Sequence, residues 1–211
     1  MNQPAAELLA GAAPPTAGKR VGLLFGSFNP VHTGHLILAE YFATRTDLAE
    51  VWLVVSPQSP FKVGEELLPD TARLALLQLA VADNPRLRAE DVELSLPRPS
   101  YTIATLDALR ARHPTHDFVL LMGGDNLPGL PRWRAADRLL SEFDLYVYPR
   151  PGVELPDLAA FPRVQVFQAP LLDVSATFIR ASIKAGQSMR YLVPPAVEQE
   201  IISQGYYKQR V

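Results

Sequence analysis

Two histidines three positions apart, His32 and His35, stand in the stretch Gly26-Ser27-Phe28-Asn29-Pro30-Val31-His32-Thr33-Gly34-His35. Imidazoles in a glycine-bearing loop can donate to phosphoryl oxygens, and Gly26, Ser27 and Gly34 let backbone amides approach the same anion. The pair could instead begin a zinc site, but no third ligand of suitable type and spacing lies nearby. Neither G-x-G-x-x-G nor G-x-x-x-x-G-K-[ST] occurs, so phosphate binding is not read from those patterns. Ser175, Thr177 and Arg180 alone read as a capped helix with a surface arginine, but beside the first loop their hydroxyls at a helix start and guanidinium fork suggest a second anion site. Lys62, after a proline-rich loop, can reach phosphates as a mobile point charge. Asp125, behind Gly123 and Gly124, can either form a turn or accept hydrogen bonds from ribose hydroxyls. Trp133 offers a flat wall for a planar base. His113 and His116 flank Pro114 in a polar loop and are assigned no role.

These groups need a scaffold, and the hydrophobic periodicity supplies one. Short apolar runs at Val21–Phe25, Val51–Val55, Phe118–Met122 and Leu145–Tyr148 are bounded by Gly, Pro or Ser and read as buried parallel strands. Between and after them lie stretches of helical spacing at His35–Ala43, Thr71–Val81, Thr102–Arg110, Ala176–Ala185 and Ala196–Ser203. This alternation predicts an α/β fold, a doubly wound, mostly parallel Rossmann-like sheet with helices on both faces. The first loop then sits where ligands bind in such sheets. The 211 residues suit one domain, expected over 19–211, behind an Ala- and Pro-rich extension over 1–18.

Composition narrows the function further. A formal net charge of −2 provides no global field for nucleic acid, so any anion site must be local. The absence of cysteine removes disulfides, thiolate metal sites and cysteine nucleophiles. No apolar run approaches the roughly 20 residues needed to cross a bilayer, and no leader pattern opens the chain. A cytoplasmic protein is expected.

His32-x-Gly34-His35 resembles the H-x-G-H signature of the nucleotidyltransferase superfamily, and the longer loop resembles its bacterial nicotinate mononucleotide adenylyltransferase branch. The resemblance continues through Ser56–Lys62, Ser100–Ile103, Gly123–Asp125, Trp133 and Val174–Arg180. It implies attack of the 5′-phosphate of nicotinate mononucleotide on the α-phosphorus of ATP, with pyrophosphate leaving. The nucleophile is the substrate's own anion, so catalysis consists of alignment and charge stabilisation. The resemblance further implies that His35 serves the α-phosphate and His32 the departing phosphates. Trp133 would then wall the pyridine, with backbone amides near Thr102 and Arg134 meeting the nicotinate carboxylate. Mg²⁺ is expected on the ATP phosphates rather than in a protein cage. Many relatives carry Asp at Asn29 and His at Phe61, which removes a carboxylate and a cationic donor from consideration here. The rivals are an adenylyltransferase for 4′-phosphopantetheine, a cytidylyltransferase, and a non-catalytic nucleotide sensor. ATP and nicotinate mononucleotide are the expected partners, with no nucleic acid or membrane, and a homodimer is the base-rate expectation.

Overall fold

Aliphatic and β-branched runs alternate with amphipathic stretches, so each strand must be buried on two faces while each helix covers one. A computed structural model describes residues 18–57 and 67–208. Its strands are β1 (Arg20–Gly26), β2 (Glu50–Val55), β3 (Leu87–Glu90), β4 (Asp117–Gly123), β5 (Asp144–Tyr148) and β6 (Val164–Val166). They form one six-stranded sheet in the order β3-β2-β1-β4-β5-β6. All five pairings are parallel. The order reverses between β1 and β4, which opens a crevice at their carboxyl ends.

The helices are α1 (Thr33–Arg45), α2 (Asp70–Val81), α3 (Thr102–Arg112), α4 (Ala136–Glu142), α5 (Ala176–Lys184) and α6 (Pro195–Gln204). The period of two along each strand sorts side chains into two cores. Leu24, Val51, Leu53, Val119 and Leu121 face α1, α2, α5 and α6, meeting Leu38, Phe42, Leu76, Ile179 and Val197. Val21, Leu23, Trp52, Phe118 and Leu120 face the other way, onto Ile103, Leu106 and Leu109 of α3 and Leu139 of α4.

The doubly wound sheet of the sequence reading is present and parallel throughout. β3, β6 and α4 were not anticipated. Gly18, counted with the extension, already packs against the domain: a Cβ there would lie 1.2 Å from the Thr115 carbonyl oxygen. The rest of the extension lies outside the described residues.

At the amino edge of the sheet Arg20 makes ion pairs with Asp47, Asp117 and Asp144, which begin or precede neighbouring strands. His113 and His116 lie at this edge against Trp52, at 5.0 and 5.7 Å between ring centroids. The crevice is at the opposite edge.

Candidate functional site

The first loop is shaped by its glycines. β1 ends at Gly26, where a Cβ would fall 2.9 Å from the Phe28 ring, so the ring can fold back only over a glycine. Phe28 itself has φ 44° and is 1% exposed, a left-handed conformation that costs on the order of 1 kcal/mol for a residue with a side chain. Its ring meets His35 edge-on at 5.0 Å. The chain re-extends at His32 (φ −143°, ψ 168°), the residue that caps α1. The backbone N–H of His32 donates to Nδ1 of His35 at 3.2 Å, and the two rings stack at 3.7 Å with 26° between planes. Gly34 permits that stack: its Cβ would lie 3.1 Å from Nδ1 and 3.2 Å from Cε1 of His32.

Burial decides the charge of both rings. It pushes the His32 pKa down to about 4. His35 is held well below the usual histidine range by burial first, then by the charges of His32 and Arg150. Both are neutral at pH 7, which removes repulsion from the stack. Because Nδ1 of His35 accepts a hydrogen bond, its proton resides on Nε2, which is therefore a donor. Nδ1 of His32 is buried with no hydrogen-bond partner among the described residues. The first turn of α1 contains no acidic residue, so its positive end is uncompensated.

Residues far along the chain hold this loop, and sequence reading missed them. Arg73 of α2 is fully buried and donates to the carbonyls of Ser27, Ser56 (2.8 Å) and Leu68 (3.2 Å), with Asp70 as its counter-ion at 2.6 Å. A signal existed: Arg73 shares the face of Leu76, Leu77 and Ala80, a position that demands burial. Asn29, 1% exposed, turns inward and accepts from Leu68 N–H (3.2 Å) and the Tyr207 hydroxyl (2.8 Å). Its difference from an Asp-bearing relative thus falls inside the loop's scaffold rather than on the open face.

α5 lies against the first loop. Ser175 caps it, its hydroxyl accepting from Phe178 N–H at 3.2 Å. Arg180 donates to the Asn29 carbonyl at 2.8 Å and to the Thr177 hydroxyl at 3.3 Å, which ties α5 to the first loop. Leu172, before α5, approaches Gly34. Lys62 lies outside the described residues, as does Phe61.

Beyond the crevice a cavity of about 170 Å³ is lined by Phe25, Thr102, Gly123, Asn126, Trp133 and Arg150, among others. Thr102 is the first residue of α3, so the leading amides of that helix have no intrahelical acceptor. Asp125 pairs with Arg150 at 3.4 Å, and a Cβ on Gly123 would collide with both, at 2.3 and 2.9 Å. Arg150, which the sequence reading did not single out, lines the cavity, and its charge reaches His35; its only advance signal was its place just past β5. Arg134 lies over the Tyr101 ring, 4.5 Å from its centroid. A larger groove of about 480 Å³ on the outer flank of α1 and α2 contains none of these residues.

The arrangement therefore joins a cluster of neutral and cationic donors suited to phosphates with an adjoining aromatic cavity that has a helix N-terminus in its wall. Residues 23–182 match the family model described as Cytidylyltransferase-like. The chain is 47% identical over 188 residues to a Cytophaga hutchinsonii protein named "Probable nicotinate-nucleotide adenylyltransferase", covering 89% of this chain and 98% of that one. A Bacteroides fragilis protein of the same name is 44% identical over 188 residues, covering 89% of this chain and 94% of its own length. Among solved structures, Plasmodium falciparum nicotinic acid mononucleotide adenylyltransferase complexed with NaAD superposes with a TM-score of 0.73 at 16% identity, over 90% of this chain and 97% of that one.

Proposed function

Because this chain belongs to the cytidylyltransferase-like family, and within it to the nicotinate-nucleotide adenylyltransferases, we propose that its crevice transfers the adenylyl group of ATP to nicotinate mononucleotide in NAD biosynthesis. The carrying observation is the stacked His32–His35 pair, held at the N-terminus of α1 at the sheet's reversal point and adjoining the cavity of Thr102 and Trp133. In this reading a non-bridging oxygen of the mononucleotide phosphate attacks the α-phosphorus. The bond to the β-phosphate bridging oxygen breaks, and pyrophosphate leaves.

Nε2–H of His35 donates to the α-phosphate and His32 serves the departing phosphates. Neutral donors suit this task, because charge growing on the oxygens strengthens each hydrogen bond as the transition state forms. Gly26, Ser27 and Gly34 line the approach of the triphosphate, and Ser175, Thr177, Arg180 and Lys62 add hydroxyl, amide and cationic donors. Asp125 accepts from a ribose hydroxyl, Trp133 stacks on the pyridine, and amides at Thr102 and Arg134 meet its carboxylate. Among the described residues no group of three or more His, Cys, Asp or Glu is disposed around a metal ion. Donors of amide, imidazole and guanidinium type complement phosphate oxygens, so we place Mg²⁺ on the ATP phosphates themselves. There it would neutralise charge on the leaving group. No helix of the described residues is long and apolar enough to cross a membrane, in keeping with a proposed cytoplasmic place; we also propose that the enzyme works as a homo-oligomer.

The experiment is pyrophosphate release from ATP and Mg²⁺ with nicotinate mononucleotide, nicotinamide mononucleotide or 4′-phosphopantetheine. Release that is fast with the first and slow or absent with the last is expected. Release with 4′-phosphopantetheine instead would reassign the substrate, and silence with all three would leave a nucleotide sensor.

A further inference from the structure

Phe28 bends the first loop in the left-handed region, and a residue with a side chain stays there only where its surroundings over-determine it. The next residue, Asn29, carries the restraint. Its carbonyl accepts from Nη1 of Arg180 at 2.8 Å, and its Oδ1 accepts from Leu68 N–H at 3.2 Å and from the Tyr207 hydroxyl at 2.8 Å. Arg180 is therefore seated on a peptide group whose side chain is pinned by Tyr207. That tyrosine is a firm anchor: it follows Gly205, where α6 ends, is 8% exposed in the core that holds Ile179, Val197 and Ile201, and itself has φ 63°. Phenylalanine would fill those apolar surroundings with no polar atom to satisfy, and an apolar pair in place of Tyr207 and Asn29 can serve stability as well as a buried hydrogen bond does. Direction is what the hydroxyl adds. A hydrogen bond weakens steeply off its axis, so this one fixes the rotation of Asn29 and with it the carbonyl on which Arg180 rests. Burial pushes the Tyr207 pKa above the usual tyrosine range, so the donated proton is held throughout neutral pH.

We propose that Tyr207 is a positioning residue: through Asn29 it sets the aim of the Arg180 guanidinium at the phosphates during adenylyl transfer. The inference rests on the adenylyltransferase reading, in which Arg180 donates to phosphate oxygens, and deepens it. Arg180 also donates to the Thr177 hydroxyl at 3.3 Å, but Thr177 lies one turn earlier on α5 and travels with it. It is the Asn29 contact that registers the guanidinium against the histidine loop. A planar fork donates along fixed directions, so a tilt of its support misaims it, whereas an ammonium on a flexible stem re-aims itself.

The test measures kcat by pyrophosphate release at saturating ATP and nicotinate mononucleotide, with thermal melts, for the wild type, Tyr207→Phe, Arg180→Lys and the double variant. Tyr207→Phe is expected to remain folded and to lose about threefold to tenfold in kcat, the scale set by a few tenths of an ångström at a reacting centre. In the Arg180→Lys background the same substitution costs less than about twofold, because the fork that depended on the Asn29 carbonyl is gone. A hydroxyl that only supports the fold predicts equal losses in both backgrounds. Equal losses therefore overturn the inference, as does a Tyr207→Phe kcat within about twofold of wild type, or an unfolded Tyr207→Phe. If the wild type releases no pyrophosphate with nicotinate mononucleotide, the adenylyltransferase reading itself fails. Turnover indifferent to Tyr207 removes only the positioning assignment.

Discussion

Gly34 occupies the second position of α1 with no left-handed backbone to preserve. Gly34→Ala therefore exchanges a poor helix former for the best, worth about 1 kcal/mol in a helix interior and roughly half that in a first turn. The added methyl, however, would sit 3.1 Å from Nδ1 and 3.2 Å from Cε1 of His32, inside ordinary contact. The His32 ring cannot retreat toward His35, already stacked 3.7 Å away, so it must slide within its plane by a few tenths of an ångström. A displacement near 1 Å at a reacting centre costs about a hundredfold in rate, and a third of that implies a loss of about fivefold. The methyl also narrows the approach of a phosphate to the leading amides of α1. The variant should accordingly melt at or up to about 2 °C above the wild type while its kcat falls at least about fivefold. Thermal melts beside pyrophosphate release at saturating substrate measure both. Wild-type kcat in the well-folded variant would refute the role assigned to Gly34, and so would an unfolded variant.

Other variants probe other parts of the site. His35→Ala removes the Nε2 donor and should reduce turnover by two or more orders of magnitude with the melting curve retained; near-wild-type turnover would sink the mechanism. Arg73→Met strips donors from the carbonyls of Ser27, Ser56 and Leu68, and should cost at least about 3 kcal/mol in urea unfolding. If stability stays within about 0.5 kcal/mol of wild type, Arg73 does not hold the loop. The acid side of the stability profile follows from His32, whose pKa is about 4 when folded against 6.5 as a model value. The unfolded chain binds the extra proton first, so stability falls as pH drops from 6.5 toward 4, by about 2–3 kcal/mol from this group, and levels off below. Urea titrations of His32→Gln across that range should show a correspondingly shallower slope; an identical slope would contradict the burial argument.

How far the molecule could be read in advance depended on whether its signals were local. α2 was read as Thr71–Val81 and runs Asp70–Val81, because its apolar stripe is continuous. β3, Leu87-Arg88-Ala89-Glu90, escaped because it is a charged edge strand with one neighbour, and β6 because three residues carry too little periodicity. α4 starts from Ala135 in the left-handed region rather than from a recognisable cap, and its seven residues leave a weak pattern. The histidine loop was legible since all its parts are contiguous. Arg73 and Arg150 carried only local hints, an apolar helix face and a strand end, since the partners that give each its role come together only through the crossovers. Tyr207 was hidden for the same reason: nothing near it in the chain announces a bond to Asn29.

That bond has a consequence for how the molecule comes into being. The histidine loop belongs to the first turn of the chain around the sheet, yet its geometry depends on Arg73, on Arg180, and on Tyr207, 178 positions beyond Asn29. A ribosome-bound chain that has completed β1 and α1 holds the signature residues without the cradle that orients them. Competence to bind nucleotide thus arrives late in synthesis. Once assembled, the loop opens only if contacts with α2, α5 and the segment after α6 give way together, so its local stability approaches that of the whole domain.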